Sequence, residues 1–185
     1  VTVSYCHFWD TGKSTMCGMT SESGPNYITY HHNWFDHSDS RHPRIRTMSV
    51  HIFNNYFDGN SKYGVGVTMG SSAFVECNYY RACSKPMMSS MQGTDAQGEG
   101  TFSGENGGII KAYNNHFATP VSYITYQQNA TSFDAYEVSN RTEQVPSNVV
   151  TVAGGTTYDN FDTQYANMYS VTPDEPMLVP DMVKG

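Results

Sequence analysis

Leucine is nearly missing from this chain: among 185 residues Leu178 is the only one. Helix bundles, coiled coils and leucine-rich repeats fill their seams with leucine, so none of them fits. Charged residues are also sparse, at 15%. No apolar run approaches the ~18 residues of a membrane-spanning helix. The four cysteines, Cys6, Cys17, Cys77 and Cys83, form no C-x-x-C pair of the kind that holds zinc. Lys and Arg are outnumbered 10 to 17 by Asp and Glu, a net charge of −7, which speaks against a broad nucleic-acid-binding surface.

What is present points to strands. Fourteen Tyr and sixteen Gly, with frequent Thr, Val and Asn, are the composition of β-structure joined by turns. The length admits one domain with an appended tail. Residues 1–126 hold eight Lys/Arg against nine Asp/Glu, a charge of −1, whereas 127–185 hold two against eight, a charge of −6. The expected organisation is therefore a β-rich body over 1–126 and an acidic tail over 127–185 that carries Pro146, Pro173, Pro176 and Pro180. That tail is expected to pack along the body or cap its end. Cys6 with Cys17 and Cys77 with Cys83 are spaced to bridge, and free buried thiols fit equally well. Asn129-Ala130-Thr131 and Asn140-Arg141-Thr142 match the glycosylation sequon, a pattern that often arises by chance.

An internal repeat carries the fold. The segments VTVSYCHFWD (1–10), YITYHHNWFD (27–36), SVHIFNNYFD (49–58), AFVECNYYRA (73–82) and IKAYNNHFAT (110–119) each join a short β-prone run to a polar-x-aromatic step. Aligned on the polar position, Cys6, Asn33, Asn55, Asn78 and Asn115 fall in register, followed by Phe8, Phe35, Phe57, Tyr80 and Phe117. The intervals are 27, 22, 23 and 37 residues. Units this short bury a core only by stacking, and no helical pattern separates the strands. A parallel β-helix satisfies both conditions, with coils ~4.8 Å apart and like residues directly superposed. The recurrent Asn would then form an internal amide ladder. The competing reading, Asn as turn residues in an antiparallel meander, needs short Asn-Gly turns that are absent. The longest interval contains the Gly/Ser/Gln/Glu-rich stretch 91–108, read as a long loop on one side of the stack.

Register also tells which loops are neighbours. Lys13 lies seven residues after Cys6 and Arg41 eight after Asn33, so both fall in one loop of consecutive coils, on one face. Arg46 follows just before the next strand, with Arg44 between, and Pro43 stiffens the passage. This local cationic cluster suits a ligand with repeated carboxylates, since Arg offers a bidentate fork and Lys a point charge. The plainer reading makes Lys13 and Arg46 surface charges balanced by Asp10, Asp36 and Asp39. His31, His32, His37, His42 and His51 crowd the same region. With His31 and His32 expected on opposite strand faces and no supporting acid evident, they are assigned to ladder or surface roles rather than to a metal.

The runs TGKSTMCG (11–18), YITYHHNWFDHSDSRHPRIR (27–46) and VHIFNNYFD (50–58) resemble polysaccharide lyase family 1, the pectate lyases. The R-x-P-x-x-R signature stands as Arg41-His42-Pro43-Arg44-Ile45-Arg46, and the resemblance covers residues 1 to about 120. It implies a right-handed parallel β-helix and β-elimination of polygalacturonate (pectin) by a secreted or periplasmic enzyme. In this resemblance Arg41 is the base that takes the C5 proton, Lys13 and Arg46 hold uronate carboxylates, and Ca2+ is the cofactor. Arginine is an unusual base, its ordinary pKa exceeding about 12, so alkaline conditions should favour the reaction.

The family's Ca2+-binding acids lie on coils that would precede Val1, so the ligands are expected upstream of this chain and no metal ligand is assigned within it. The chain is accordingly expected to be the C-terminal part of a lyase, with a complementary N-terminal chain of the same protein as a partner. Alone, its open first coil should leave it unstable or weakly active. Rival functions are a pectin lyase, a glycoside hydrolase using an acidic row of Asp10, Asp36 and Asp58, and a non-catalytic carbohydrate-binding solenoid using Trp9, Trp34 and exposed Tyr. No nucleic-acid or membrane partner is expected.

Overall fold

The structure, a computed structural model, describes residues 1–19, 26–98, 101–163 and 168–185. Successive coils contribute short strands in a repeating order. The first supplies β1 (Thr2–Ser4), β2 (His7–Trp9) and β3 (Met16–Cys17), and the second β4 (Tyr27–His31), β5 (Trp34–Asp36) and β6 (Arg44–Arg46). The third supplies β7 (Ser49–Phe53), β8 (Tyr56–Asp58) and β9 (Val65–Thr68), and the fourth β10 (Ser72–Glu76), β11 (Tyr79–Arg81) and β12 (Met87–Ser89). Then come β13 (Ile109–Tyr113), β14 (His116–Phe117) and β15 (Tyr136–Glu137). These strands sort into three parallel sheets, ordered β1-β4-β7-β10-β13-β15, β2-β5-β8-β11-β14 and β3-β6-β9-β12. The chain is an all-β parallel β-helix.

The register follows the sequence intervals: Thr2, Thr29, His51, Phe74 and Lys111 are paired in turn, at spacings of 27, 22, 23 and 37. Inside the coil the expected ladder is present. Asn33 Nδ2 donates to Asn55 Oδ1 at 2.9 Å, Asn55 to Asn78 at 3.1 Å and Asn78 to Asn115 at 3.0 Å. Its aromatic companions superpose likewise, with ring centroids 4.9 Å apart for Phe8 and Phe35, 5.2 Å for Phe35 and Phe57 and 4.3 Å for Phe57 and Tyr80. Val50, Ile52, Val65, Val67 and Ile110 fill the space between the sheets, all fully buried.

Each coil bends sharply between its first two strands at one left-handed residue: Tyr5, His32, Asn54, Cys77 and Asn114 all have φ of 47–53°. L-residues other than Asn and Asp seldom adopt this region, so the bend is imposed by the pairing on either side of it. The bend corrects the expectation for His31 and His32. Their rings do not project to opposite faces, because the turn at His32 brings the two Nδ1 atoms to 2.9 Å.

The outer face of the first sheet is covered by the C-terminal residues. The row Thr29, His51, Phe74 and Lys111 is buried beneath Tyr169, Arg141 and Asp162: Tyr169 Oη lies 2.9 Å from Thr29 Oγ1 and 2.7 Å from His51 Nδ1, and Lys111 pairs with Asp162. A short helix α1 (Val179–Lys184) ends the chain. All four cysteines are free thiols, Cys6 exposed and the others buried. Among the described residues no helix is long and apolar enough to cross a membrane.

Candidate active site

The third sheet and its preceding loops gather the basic residues. Lys13 is exposed and bridges Ser40 in parallel register; Ser14 and Thr15 donate backbone hydrogen bonds to Ser40 and Arg41 at 3.0 and 2.8 Å. Lys13 and Arg41 are therefore on adjacent coils of one loop stack, as their spacing predicts. Arg41 itself has φ of 66°, immediately before the buried His42. Glycine is required at the end of the TGKSTMCG run, where Gly18 has φ of 84° and a Cβ would stand 1.9 Å from the Arg46 carbonyl oxygen.

In β6, Ile45 points into the core while Arg44 and Arg46 emerge on the other face. Met16 of β3 lies beneath the cluster: its Sδ is 4.0 Å from Arg41 Nη1 and 3.6 Å from Arg46 Nη1. The two guanidinium groups thus converge on one side chain. Arg44 is buried, with its guanidinium carbon 5.3 Å from the Phe102 ring centroid. Tyr63 packs against Phe102 and contacts Arg41. Burial pushes its phenol up to about 12 against the opposing pull of Arg44 and Arg41, so it is neutral at ordinary pH.

Two features escaped the sequence reading. Glu105, from the loop 91–108, accepts from Arg44 Nη2 at 2.7 Å, from Arg46 Nη2 at 2.6 Å and from Arg46 Nε at 3.2 Å. Partial burial favours its protonated form, but these bonds outweigh that and hold its carboxyl down at about 2. Glu99 and Gly100 of the same loop lie outside the described residues. The second feature is Met16, whose role depends on side-chain direction that spacing alone does not give. With Lys13, Arg41, Arg44 and Arg46 against Glu105, four positive and one negative, the cluster keeps +3 on a chain of −7.

Of the acids near the cluster in sequence, Asp36 and Asp39 are engaged elsewhere. Asp36 is bonded by His7 at 2.8 Å and by His37, and Asp39 by Ser61 at 2.6 Å with Lys62 at 3.6 Å. Neither neutralises Lys13 or Arg46; Glu105 is the counter-ion of Arg46. Only Asp36 and Asp58 stack, Asp10 being displaced by one residue because Trp9 is the partner of Asp36. Asp58 is held by Arg81 at 2.9 Å, and Asp36 and Asp58 lie on the second sheet, whereas Arg46 is on the third and Arg41 in the loop that leads into it. Among the described residues no three His, Cys, Asp or Glu side chains are gathered to hold a metal ion. The described acids thus do not fit a Ca2+ site by themselves.

Comparison with known proteins agrees with the coil stack. A family model described as pectate lyase matches residues 1–158. Pectate lyase 3 of Pectobacterium atrosepticum is 29% identical over 126 residues, which is 68% of this chain and 31% of that protein. A pectate trisaccharide-lyase of Bacillus licheniformis is 34% identical over 90 residues, 48% of this chain and 26% of that protein. Among solved structures, a pectate lyase from Bacillus sp. N165 in complex with trigalacturonate has a TM-score of 0.61 at 22% identity, covering 99% of this chain and 47% of that one. Pectate lyase C from Erwinia chrysanthemi, solved at pH 9.5 with 30 mM Ca2+, has a TM-score of 0.62 at 21% identity, covering 99% and 45%. The chain spans about a third of the curated relatives' length and about half that of the solved structures. With the family model matching 158 of its 185 residues, the chain belongs to the pectate lyase family.

Proposed function

We propose that this chain supplies the basic half of a site that cleaves polygalacturonate by β-elimination, releasing unsaturated oligogalacturonides. The observation that carries the reading is the convergence of Arg41 and Arg46 on Met16, one coil from Lys13, on a chain that is otherwise acidic. β-Elimination removes the C5 proton of a uronate, beside a carboxylate that is already negative, and expels the oxygen on C4. The chemical difficulty is the charge that builds on the carboxylate and C5 together. Cations fixed in advance around that position stabilise it without reorganising during the reaction. In this reading Lys13 and Arg46 hold carboxylates, Arg41 takes the C5 proton as its neutral guanidine and becomes the guanidinium, and the C4 oxygen leaves with a proton from water.

Ca2+ enters the proposal through the Erwinia structure solved in its presence, and the described acids of this chain give no step that runs through it. Trigalacturonate in the Bacillus complex supports the same polymer as ligand here. We further propose that residues 1–126 carry the site, that 127–185 cover the first sheet, and that the protein acts outside the cytoplasm, where the polymer is met. A hydrolase reading is weakened by the location of Asp36 and Asp58 on another sheet. Incubation with polygalacturonate separates the two chemistries: a lyase makes an unsaturated, ultraviolet-absorbing sugar end, a hydrolase a saturated reducing one. Reducing ends without absorbance would end the proposal.

A further inference from the structure

We propose that Glu105 is a positioning residue for Arg46: it fixes the guanidinium so that one edge is occupied internally and only Nη1 is presented toward Arg41 and Met16. The inference rests on the uronate-binding reading of the cluster, which it deepens.

A lone arginine on an exposed strand samples many rotamers, and its Nε–Nη2 edge is the one that grips a carboxylate with two parallel bonds. Here Glu105 takes that edge, at 2.6 and 3.2 Å, and ties it to the buried Arg44 at 2.7 Å. Glu105 is itself held. Its carbonyl accepts from Ser90 Oγ, and the next two residues accept from Met69 and Gly70 backbone N–H groups, the latter at 2.9 Å. Phe102 of the same loop lies against Arg44. The fixed partner is therefore the loop, and the positioned one is Arg46. Its remaining nitrogen, Nη1, sits 3.6 Å from the sulfur that Arg41 Nη1 also approaches. A uronate carboxylate reaching Arg46 then meets one preset donor rather than a mobile fork, and its orientation is left to Arg41 and Lys13.

The test uses 15N-labelled full chain, in which the Arg46 Nε–H resonance is assigned by its disappearance in Arg46→Lys. In Glu105→Gln the exchange of that proton with water should accelerate at least about tenfold, since its charged acceptor is gone. Trigalacturonate affinity should fall about tenfold, because the ligand must now order Arg46 itself. Should Glu105→Gln not fold, Glu105→Asp, which keeps the charge but shortens the reach, should show the same two changes more weakly. An unchanged exchange rate overturns the proposal. So does tighter binding at low salt that disappears at high salt, which would make Glu105 a simple counter-charge. If the parent chain does not bind trigalacturonate, the uronate reading falls, and the exchange rate alone decides whether Glu105 holds Arg46.

Discussion

Asn33 and Asn55 are joined twice: both the backbone N–H and the side-chain Nδ2 of Asn33 donate to Asn55 Oδ1, at 3.1 and 2.9 Å. Asn55 in turn donates to Asn78 Oδ1 and to the carbonyls of Tyr30 and Phe53, at 3.0–3.1 Å, and is fully buried. Replacing it by Ala would leave donors of Asn33 and acceptors of the neighbouring coils unpaired in a dry interior, each costing about 1–3 kcal/mol. Asn55→Ala should therefore lower stability by about 3–4 kcal/mol. Asn115, half-buried at the end of the ladder, should cost about 1 kcal/mol when truncated. Chemical denaturation midpoints for the two variants check this, and equal losses would remove the ladder from the account of stability.

The ladder was legible because its chemistry repeats along the sequence, and the same intervals located the strands, the aromatic stack and the neighbouring loops of Lys13 and Arg41. Features that join distant, non-repeating segments were not. Tyr169 meets Thr29 across 140 positions and Glu105 meets Arg46 across 59, and no periodicity records either contact. The offset of Asp10 had a local cause: it stands four residues after Cys6, while Asp36 and Asp58 stand three after Asn33 and Asn55. The burial of the first sheet's outer row likewise has a cause that periodicity does not record. The row lies under the tail, so His51 and Lys111 are buried although a solvent-facing strand row would leave them exposed.

His42 gives a pH dependence with a defined sign. Its ring is fully buried against Phe35, Nδ1 lies 2.8 Å from the Tyr63 carbonyl oxygen, and burial lowers its pKa from 6.5 to about 4. The folded state therefore binds this proton less readily than the unfolded one. Stability from the neutral ring is full above pH 6.5 and falls as pH drops toward 4, by about 1.4 kcal/mol per unit. His42→Asn, whose amide can still donate to Tyr63, should flatten the stability profile between pH 6.5 and 4.5 relative to the parent chain. Urea midpoints across that range decide it, and parallel profiles would exclude His42 as the titrating group.

The tail's attachment depends on Glu76. This carboxylate is fully buried, accepts from His51 Nε2 at 2.7 Å, and pairs with Arg141 through two bonds of 2.7 Å. Burial favours its protonated form, but the bonds from His51 and Arg141 outweigh that and hold its pKa low. Arg141→Met would leave a buried charge half-paired, at a cost of about 3–5 kcal/mol. The loss should be larger at pH 8 than at pH 5, since protonating Glu76 relieves it. The double variant with Glu76→Leu should recover most of the stability. Limited proteolysis provides a second readout, with cleavage in 140–160 accelerated in Arg141→Met and restored in the double variant.

Arg41 separates catalysis from binding. Among the described residues no carboxylate pairs with it as Glu105 does with Arg46, and its guanidinium reaches Met16 from a half-buried position, so removing it should disturb the fold by no more than about 1 kcal/mol. Arg41→Ala should lower formation of the ultraviolet-absorbing product by at least about a thousandfold, the scale on which general-base assistance and a charge fixed in the transition state combine. Lys13→Ala and Arg46→Ala should act mainly on substrate affinity, raising KM about tenfold to a hundredfold, as expected for lost charge-assisted bonds of about 1.5–3 kcal/mol. Measured at alkaline pH on polygalacturonate, the pattern distinguishes an enzyme from a carbohydrate-binding solenoid, for which Arg41→Ala would change neither a rate nor, by much, an affinity. Loss of binding without loss of rate in Arg41→Ala would move the proton-abstracting role to another residue of the cluster.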